Sequence, residues 1–86
     1  MKKYEYKQIL KETLIELKSK YSKEVVITYL NKDYNNTEIL VNVNDVGYDI
    51  IKIEFDILDT RQDIKNWIKI NIDYTLKRIY LHYITK

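Results

Sequence analysis

The sequence predicts an α+β fold, a two-layer sandwich in the order α-β-β-β-α with a three-stranded antiparallel sheet and both helices on one face. Three observations carry this. Apolar residues recur at helical spacing near the N-terminus, β-branched runs alternate through residues 24–55, and the only glycine, Gly47, punctuates the last two runs. Eighty-six residues give a single domain, 1–86, with room for one core. A hydrophobic content of 45% beside 33% charged residues excludes a disordered chain.

The first helix is read over about 3–20, because Tyr6, Ile9, Leu10, Leu14, Leu17 and Tyr21 fall on one side of a helical wheel. Tyr4 and Ile15 project from the other. The run EVVITYLN, 24–31, is β-branched and aromatic and reads as the first strand, followed by a polar turn over 32–36. Next comes a hairpin in the stretch 37–58. A loop of Asp45, Val46 and Gly47, with Gly47 in the left-handed conformation, places Asn44 opposite Tyr48. Val41 then faces Ile51, Ile39 faces Ile53 and Thr37 faces Phe55, so both apolar sets share a face.

Thr60 and Asp63 resemble a capping box with Asp in place of Glu, opening a helix whose face carries Ile64, Trp67, Ile68, Ile72, Leu76, Ile79 and Tyr83. Residues 68–74 also alternate as a strand would, and the poor helix formers Asn71, Asp73 and Thr75 predict a bend or break near 71–75. A second apolar stripe, Ile70, Tyr74 and Leu81, lies on the far side. Either the segment breaks so that both stripes reach the core, or one stripe meets another molecule, which makes a homodimer one expectation.

With both helices on one side, the other sheet face is left open. In this register it pairs Asn44 with Tyr48, Asn42 with Ile50, Leu40 with Lys52 and Glu38 with Glu54, with Asp56 following and Val26 and Leu30 joining from the first strand. Two carboxylates directly opposite each other destabilise a sheet by up to about 1 kcal/mol, which suggests a basic partner. The candidate partner-binding residues are therefore Glu38, Leu40, Asp45, Tyr48, Asp49, Ile50, Glu54 and Asp56, with Tyr34 as an exposed aromatic anchor. The plainer reading is a solvated, splayed or Lys52-offset pair of glutamates. A metal at Glu38, Glu54 and Asp56 is a remote third, since calcium sites draw more oxygens from a shaped loop.

Composition narrows the chemistry. There is no cysteine, so disulfides and thiolate chemistry are excluded. One glycine cannot build a glycine-rich phosphate loop, and His82, the only histidine, has no serine neighbour to activate, so neither catalysis nor a cofactor is predicted. No apolar run is long enough for a signal peptide or membrane span, and a cytoplasmic protein is expected.

Net charge is +2 but unevenly spread. Residues 1–23 hold seven Lys against three Glu (+4), 24–59 eight acids against two Lys (−6), and 60–86 six bases against two Asp (+4). Basic helices either complement an acidic sheet or bind phosphates, and for the second use Lys7, Lys11, Lys18, Arg61, Lys65 and Lys69 are the candidates.

The element order resembles that of the double-stranded RNA-binding domain across nearly the whole chain. That family's glycine-proline loop and lysine-rich helix start are not matched by residues 31–36 and 60–65. Chain length, an AT-rich amino-acid usage and an acidic hairpin around Asp45, Asp49, Glu54 and Asp56 resemble the small anti-CRISPR proteins of phages and mobile elements. That resemblance implies a non-enzymatic inhibitor whose acidic residues occupy a basic nucleic-acid channel of a larger protein, a Cas effector.

Overall fold

A computed structural model describes residues 3–56 and 59–84 and the side chains of 4–56 and 59–82. Helix α1 spans Lys3–Lys20, strands β1, β2 and β3 span Val25–Asp33, Asn36–Val43 and Gly47–Ile53, and helix α2 spans Arg61–Ile84. The strands form one antiparallel sheet with β2 in the centre.

Period-two alternation decides which face is covered. In β2, Thr37, Ile39, Val41 and Val43 are buried beneath the helices, and Ile51, Ile53 and Phe55 continue that layer. Ile27 of β1, Tyr6, Ile9, Leu10 and Leu17 of α1 and Ile64, Ile68, Ile72, Leu76 and Ile79 of α2 complete the core. Of the residues assigned to the α2 core face, Trp67 instead stays 53% exposed, and the Tyr83 side chain lies outside the described residues.

The hairpin register departs from expectation. Strand β2 pairs with β3 as Thr37 with Ile53, Ile39 with Ile51, Val41 with Asp49 and Val43 with Gly47, a slide of two residues. A two-residue slide leaves every side chain on its face, so the apolar pattern does not distinguish the two registers. Turn chemistry does. Val46 N–H donates to Val43 carbonyl at 3.0 Å, and the residue at positive φ is Asp45, at 64°, not Gly47. A short polar side chain tolerates that region. Gly47 instead opens β3 beneath α2, where an added Cβ would lie 3.7 Å from Ile79 Cγ2, an ordinary contact.

Helix α2 is continuous, contrary to the expected break. Thr60 and Asp63 cap it reciprocally: each backbone N–H donates to the other's side-chain oxygen, at 3.2 and 3.1 Å. The poor helix formers are held by specific bonds. Asn71 Nδ2 donates to Trp67 carbonyl and Thr75 Oγ1 to Asn71 carbonyl, both at 2.8 Å, while Asp73 accepts from Tyr21 and Lys20 of the α1 end. The bonds to Asn71 and Thr75 satisfy their polar groups within the helix, and the tertiary bonds of Asp73, with burial of Ile68, Ile72 and Leu76, override weak intrinsic propensity.

An odd number of antiparallel strands between two helices brings them out parallel, and their facing side chains record it. Glu12 pairs with Arg61 and Lys65, Glu16 with Lys65 and Lys69, and Lys20 with Asp73, all between 2.5 and 3.5 Å. Residue numbers climb together on both helices. Below this ladder, Tyr6 packs against Tyr34 and Phe55 with ring centroids about 6 Å apart. Thr37 gives its one hydroxyl proton to Asp33 carbonyl, so Tyr6 is the donor of the 2.5 Å bond to Thr37 Oγ1. Tyr29 donates to Leu10 carbonyl at 2.9 Å.

Burial pushes the Tyr6 hydroxyl from 10.0 up to about 12. Burial also raises Tyr29, and burial followed by Asp73 raises Tyr21. A raised folded-state pKa gives stability that is complete below the unfolded value and lost as pH climbs through the folded one. The fold should therefore weaken from pH 10 toward 12, with helix signal lost across that window in an alkaline titration and lost less steeply in Tyr6→Phe, which has no hydroxyl to ionise. A pH dependence unchanged by Tyr6→Phe would contradict this.

The turn makes a second expectation. Gly47→Ala should change stability by less than about 0.5 kcal/mol, whereas Asp45→Val, a β-branched residue at positive φ, should cost about 1–2 kcal/mol in urea unfolding. A left-handed Gly47 would give the reverse order.

Candidate functional site

The open face of the sheet is organised in three cross-strand rows. Val26 lies beside Asn42 and Tyr48, Thr28 beside Leu40 and Ile50, and Asn31 beside Glu38 and Lys52. A bulge at Leu30, between the pairs Tyr29–Ile39 and Asn31–Glu38, leaves that leucine exposed. Tyr48 is 70% exposed, and Val26, Leu30 and Ile50 are each 44–49% exposed. Neither helix reaches them. Together with half-buried Leu40 they make an apolar centre of roughly 400 Å², the scale of the patches that mark interaction sites.

The register removes one premise of the acidic reading. Glu38 stands opposite Lys52, an attractive pair, and Glu54 lies beyond the end of β3. No carboxylate pair faces across this sheet among the described strand residues. The acids gather at the ends instead. Asp45 is exposed on the β2–β3 turn, and at the opposite end Glu54, Asp59 and Asp63 line a cleft with Phe55, Asn66 and Trp67, with exposed Asp56 beside it. Two of these acids also shape the backbone: Asp59 accepts from Asp56 N–H at 2.7 Å, and Asp63 caps α2.

Of the predicted partner-binding residues, Glu38, Leu40, Tyr48 and Ile50 lie on the open face, and Asp45, Glu54 and Asp56 flank it. Asp49 and Tyr34 do not belong there. Asp49 is on the helix-facing side of β3, where it pairs with Arg78 at 3.2 Å and accepts from Ile50 N–H at 2.8 Å. Tyr34 is half-buried edge-on against Tyr6, and its carbonyl accepts from Phe55 N–H, so it closes the core and is no exposed anchor. Thr28, Asn31, Asn42 and Lys52 complete the face. Trp67 was the larger omission: it stands at the margin of the core stripe, next to the outward-facing Ile70 and Tyr74, and that position was the available signal.

The candidate phosphate-binding residues divide in two. Arg61, Lys65 and Lys69 are engaged by Glu12 and Glu16, and Lys65 and Lys69 side chains are only 17% and 32% exposed. Lys7, Lys11 and Lys18 are exposed on the outer side of α1, where three charges make at most a weak electrostatic contact. Among the described residues, no group of three or more His, Cys, Asp or Glu side chains is placed to hold a metal ion, and no helix is long and apolar enough to cross a membrane. No protein-family model, curated protein or solved structure matches the chain.

Lys65 holds the Glu16 carboxyl below its ordinary range, and the Tyr21 hydrogen bond does the same, aided by Lys20, for Asp73. A depressed folded-state pKa means that the interhelical ladder supports the fold above the ordinary carboxylate range and fades as pH falls through the folded values. Lys65→Glu turns two attractions into two repulsions. It should lower the midpoint of low-salt urea unfolding, and by less in about 1 M salt. Equal stability of variant and wild type would reject the ladder.

Proposed function

We propose that this protein is a non-enzymatic inhibitor that binds a larger protein through its open sheet face. One observation supports this above all: Val26, Leu30, Leu40, Tyr48 and Ile50 lie together on the sheet face opposite the one that both helices cover. An isolated fold gains nothing from five such residues on one surface. An interface does, because an apolar centre excludes water while a polar rim aligns the partner.

The rim selects the partner's chemistry. Glu38 and Lys52 cancel in the last cross-strand row, so the acids that flank the face are Asp45 at one end and Glu54 at the other, with Asp56 beside it. A surface with basic residues on both sides of an apolar saddle complements that arrangement, and nucleic-acid enzymes carry such surfaces along their channels. The proposed target class is accordingly a nucleic-acid enzyme, with a CRISPR-Cas effector as the first to examine. The rival role of nucleic-acid binder is weakened by Arg61, Lys65 and Lys69 being held in the interhelical ladder.

Titrating the protein into DNA cleavage by purified Cas effectors tests this. Inhibition is expected near equimolar ratio, with Tyr48→Ala weakening it about 10-fold or more as a central aromatic anchor does, and Ile50→Asp abolishing it while helix content is unchanged. Inhibition indifferent to both substitutions would remove the sheet face from the account. Silence against every effector, and no retention by any basic nucleic-acid enzyme, would remove the target class.

A further inference from the structure

The outer side of α2 carries a second apolar surface on the opposite layer of the sandwich. Trp67, Ile70, Tyr74 and Leu81 are 53%, 55%, 68% and 62% exposed. Their spacings of three, four and seven residues follow a heptad, with Lys77 at the one intervening seam position. Because α2 does not break, these side chains form one straight ridge spanning about 21 Å. The face of α2 that meets the core is filled by Ile64, Ile68, Ile72, Leu76 and Ile79, and the ridge is left exposed by the described residues of this chain.

We infer that this ridge is the seam of a homodimer in which α2 packs antiparallel against α2 of a second copy. Three features select a second copy over an unrelated occupant. First, the ends of the ridge match across its middle. Trp67 and Leu81 each lie seven residues from Tyr74, so a two-fold axis at Tyr74 sets the Trp67 of each copy against Leu81 of the other and Tyr74 against Tyr74, while Ile70 meets the stem of Arg78.

Second, the charges favour the antiparallel arrangement. Glu54, Asp59 and Asp63 line the cleft by Trp67 at the start of α2, while Arg61, Lys65 and Lys69 are engaged by Glu12 and Glu16 and Arg78 by Asp49. Antiparallel pairing keeps the two acidic clefts at opposite ends of the seam and opposes the two helix dipoles, whereas parallel pairing sets both clefts side by side. Lys77 can lay its methylene stem along the seam and keep its ammonium in water.

Third, the area suffices. Four large side chains more than half exposed offer roughly 500 Å² per copy, or about 1,000 Å² for the pair before flanking polar residues are added, the lower bound of a specific interface. Such a dimer places the two sheet faces outward and back to back. It therefore presents two docking surfaces at once, and a target holding two sites would be bound with avidity.

Self-association is independent of the proposed function and is measured without any target. Light scattering up to about 0.5 mM, enough to populate a dimer with a Kd near 0.1 mM, should give a mass near twice 10.5 kDa. Tyr74→Glu should return the monomer mass with unchanged helix signal, and Tyr48→Glu on the sheet should stay dimeric. The absence of native cysteine allows a second, geometric test. Tyr74→Cys, on the two-fold axis, should form an intermolecular disulfide under mild oxidation within the time that Ile15→Cys on α1 remains monomeric. A wild-type monomer at the highest concentration, a dimer that survives Tyr74→Glu, or crosslinking through Ile15→Cys as fast as through Tyr74→Cys would each overturn the inference.

Discussion

The structure depends on the burial of one face of its central strand. Ile39, Val41 and Val43 of β2 are at most 1% exposed, and each element is placed by covering them or by pairing beside them. Because strand side chains alternate, closing one face consigns the residues between to the other, so Glu38, Leu40 and Asn42 point away from both helices. Three strands also dictate that the helices run parallel. Parallel helices have aligned dipoles that repel, and the charge ladder from Glu12–Arg61 to Lys20–Asp73 offsets this while fixing their axial register.

Two parallel helices over three short strands cannot be of equal use along their whole length. Helix α1 ends near the start of β1, but α2 has 24 residues, about 36 Å, and runs past the β2–β3 turn, where Arg78 ties it to Asp49. The exposed ridge runs along the side of α2 opposite its core face, and only Leu81 of it lies beyond Ile79, which packs at Gly47. The same architecture thus has two apolar surfaces in opposite layers, one on the sheet and one on α2, and they share no side chain.

Much of this was legible in the sequence. Helical spacing from Tyr6 to Tyr21 and alternation from Thr37 to Phe55 carried the element order and the buried face, and Thr60 with Asp63 marked the start of α2. The register was not legible, because a slide of two residues preserves every face and the choice lay in which of Asp45 and Gly47 took the left-handed conformation. Glycine is the commoner choice, and here the turn is closed one residue earlier. That slide replaced a repulsive Glu38–Glu54 pair by Glu38–Lys52 and moved the acidic character to the ends of the site.

Other differences have the same origin in long-range contacts. Asn71, Asp73 and Thr75 read as helix breakers until their partners are known, and Asp73 is held by Tyr21, 52 residues away in the chain. Tyr34 sits in a polar turn yet reaches the core because Tyr6 and Phe55 leave an aromatic edge there. The i, i+4 series Glu12, Glu16, Lys20 and Arg61, Lys65, Lys69, Asp73 was visible from the outset, and reading it across the two helices would have separated structural from available cations.

The central claim is that one sheet face is roofed and the other bare, in the register that sets Glu38 opposite Lys52. Nuclear Overhauser contacts from the methyl groups of the labelled protein at micromolar concentration measure this most directly. The account predicts contacts from Ile39 and Ile51 to residues of α1 and α2, cross-strand contacts between Leu40 and Ile50, and none from Leu40 or Ile50 to either helix. Contacts from Leu40 or Ile50 to a helix, or pairing of Leu40 with Lys52 in place of Ile50, would contradict it.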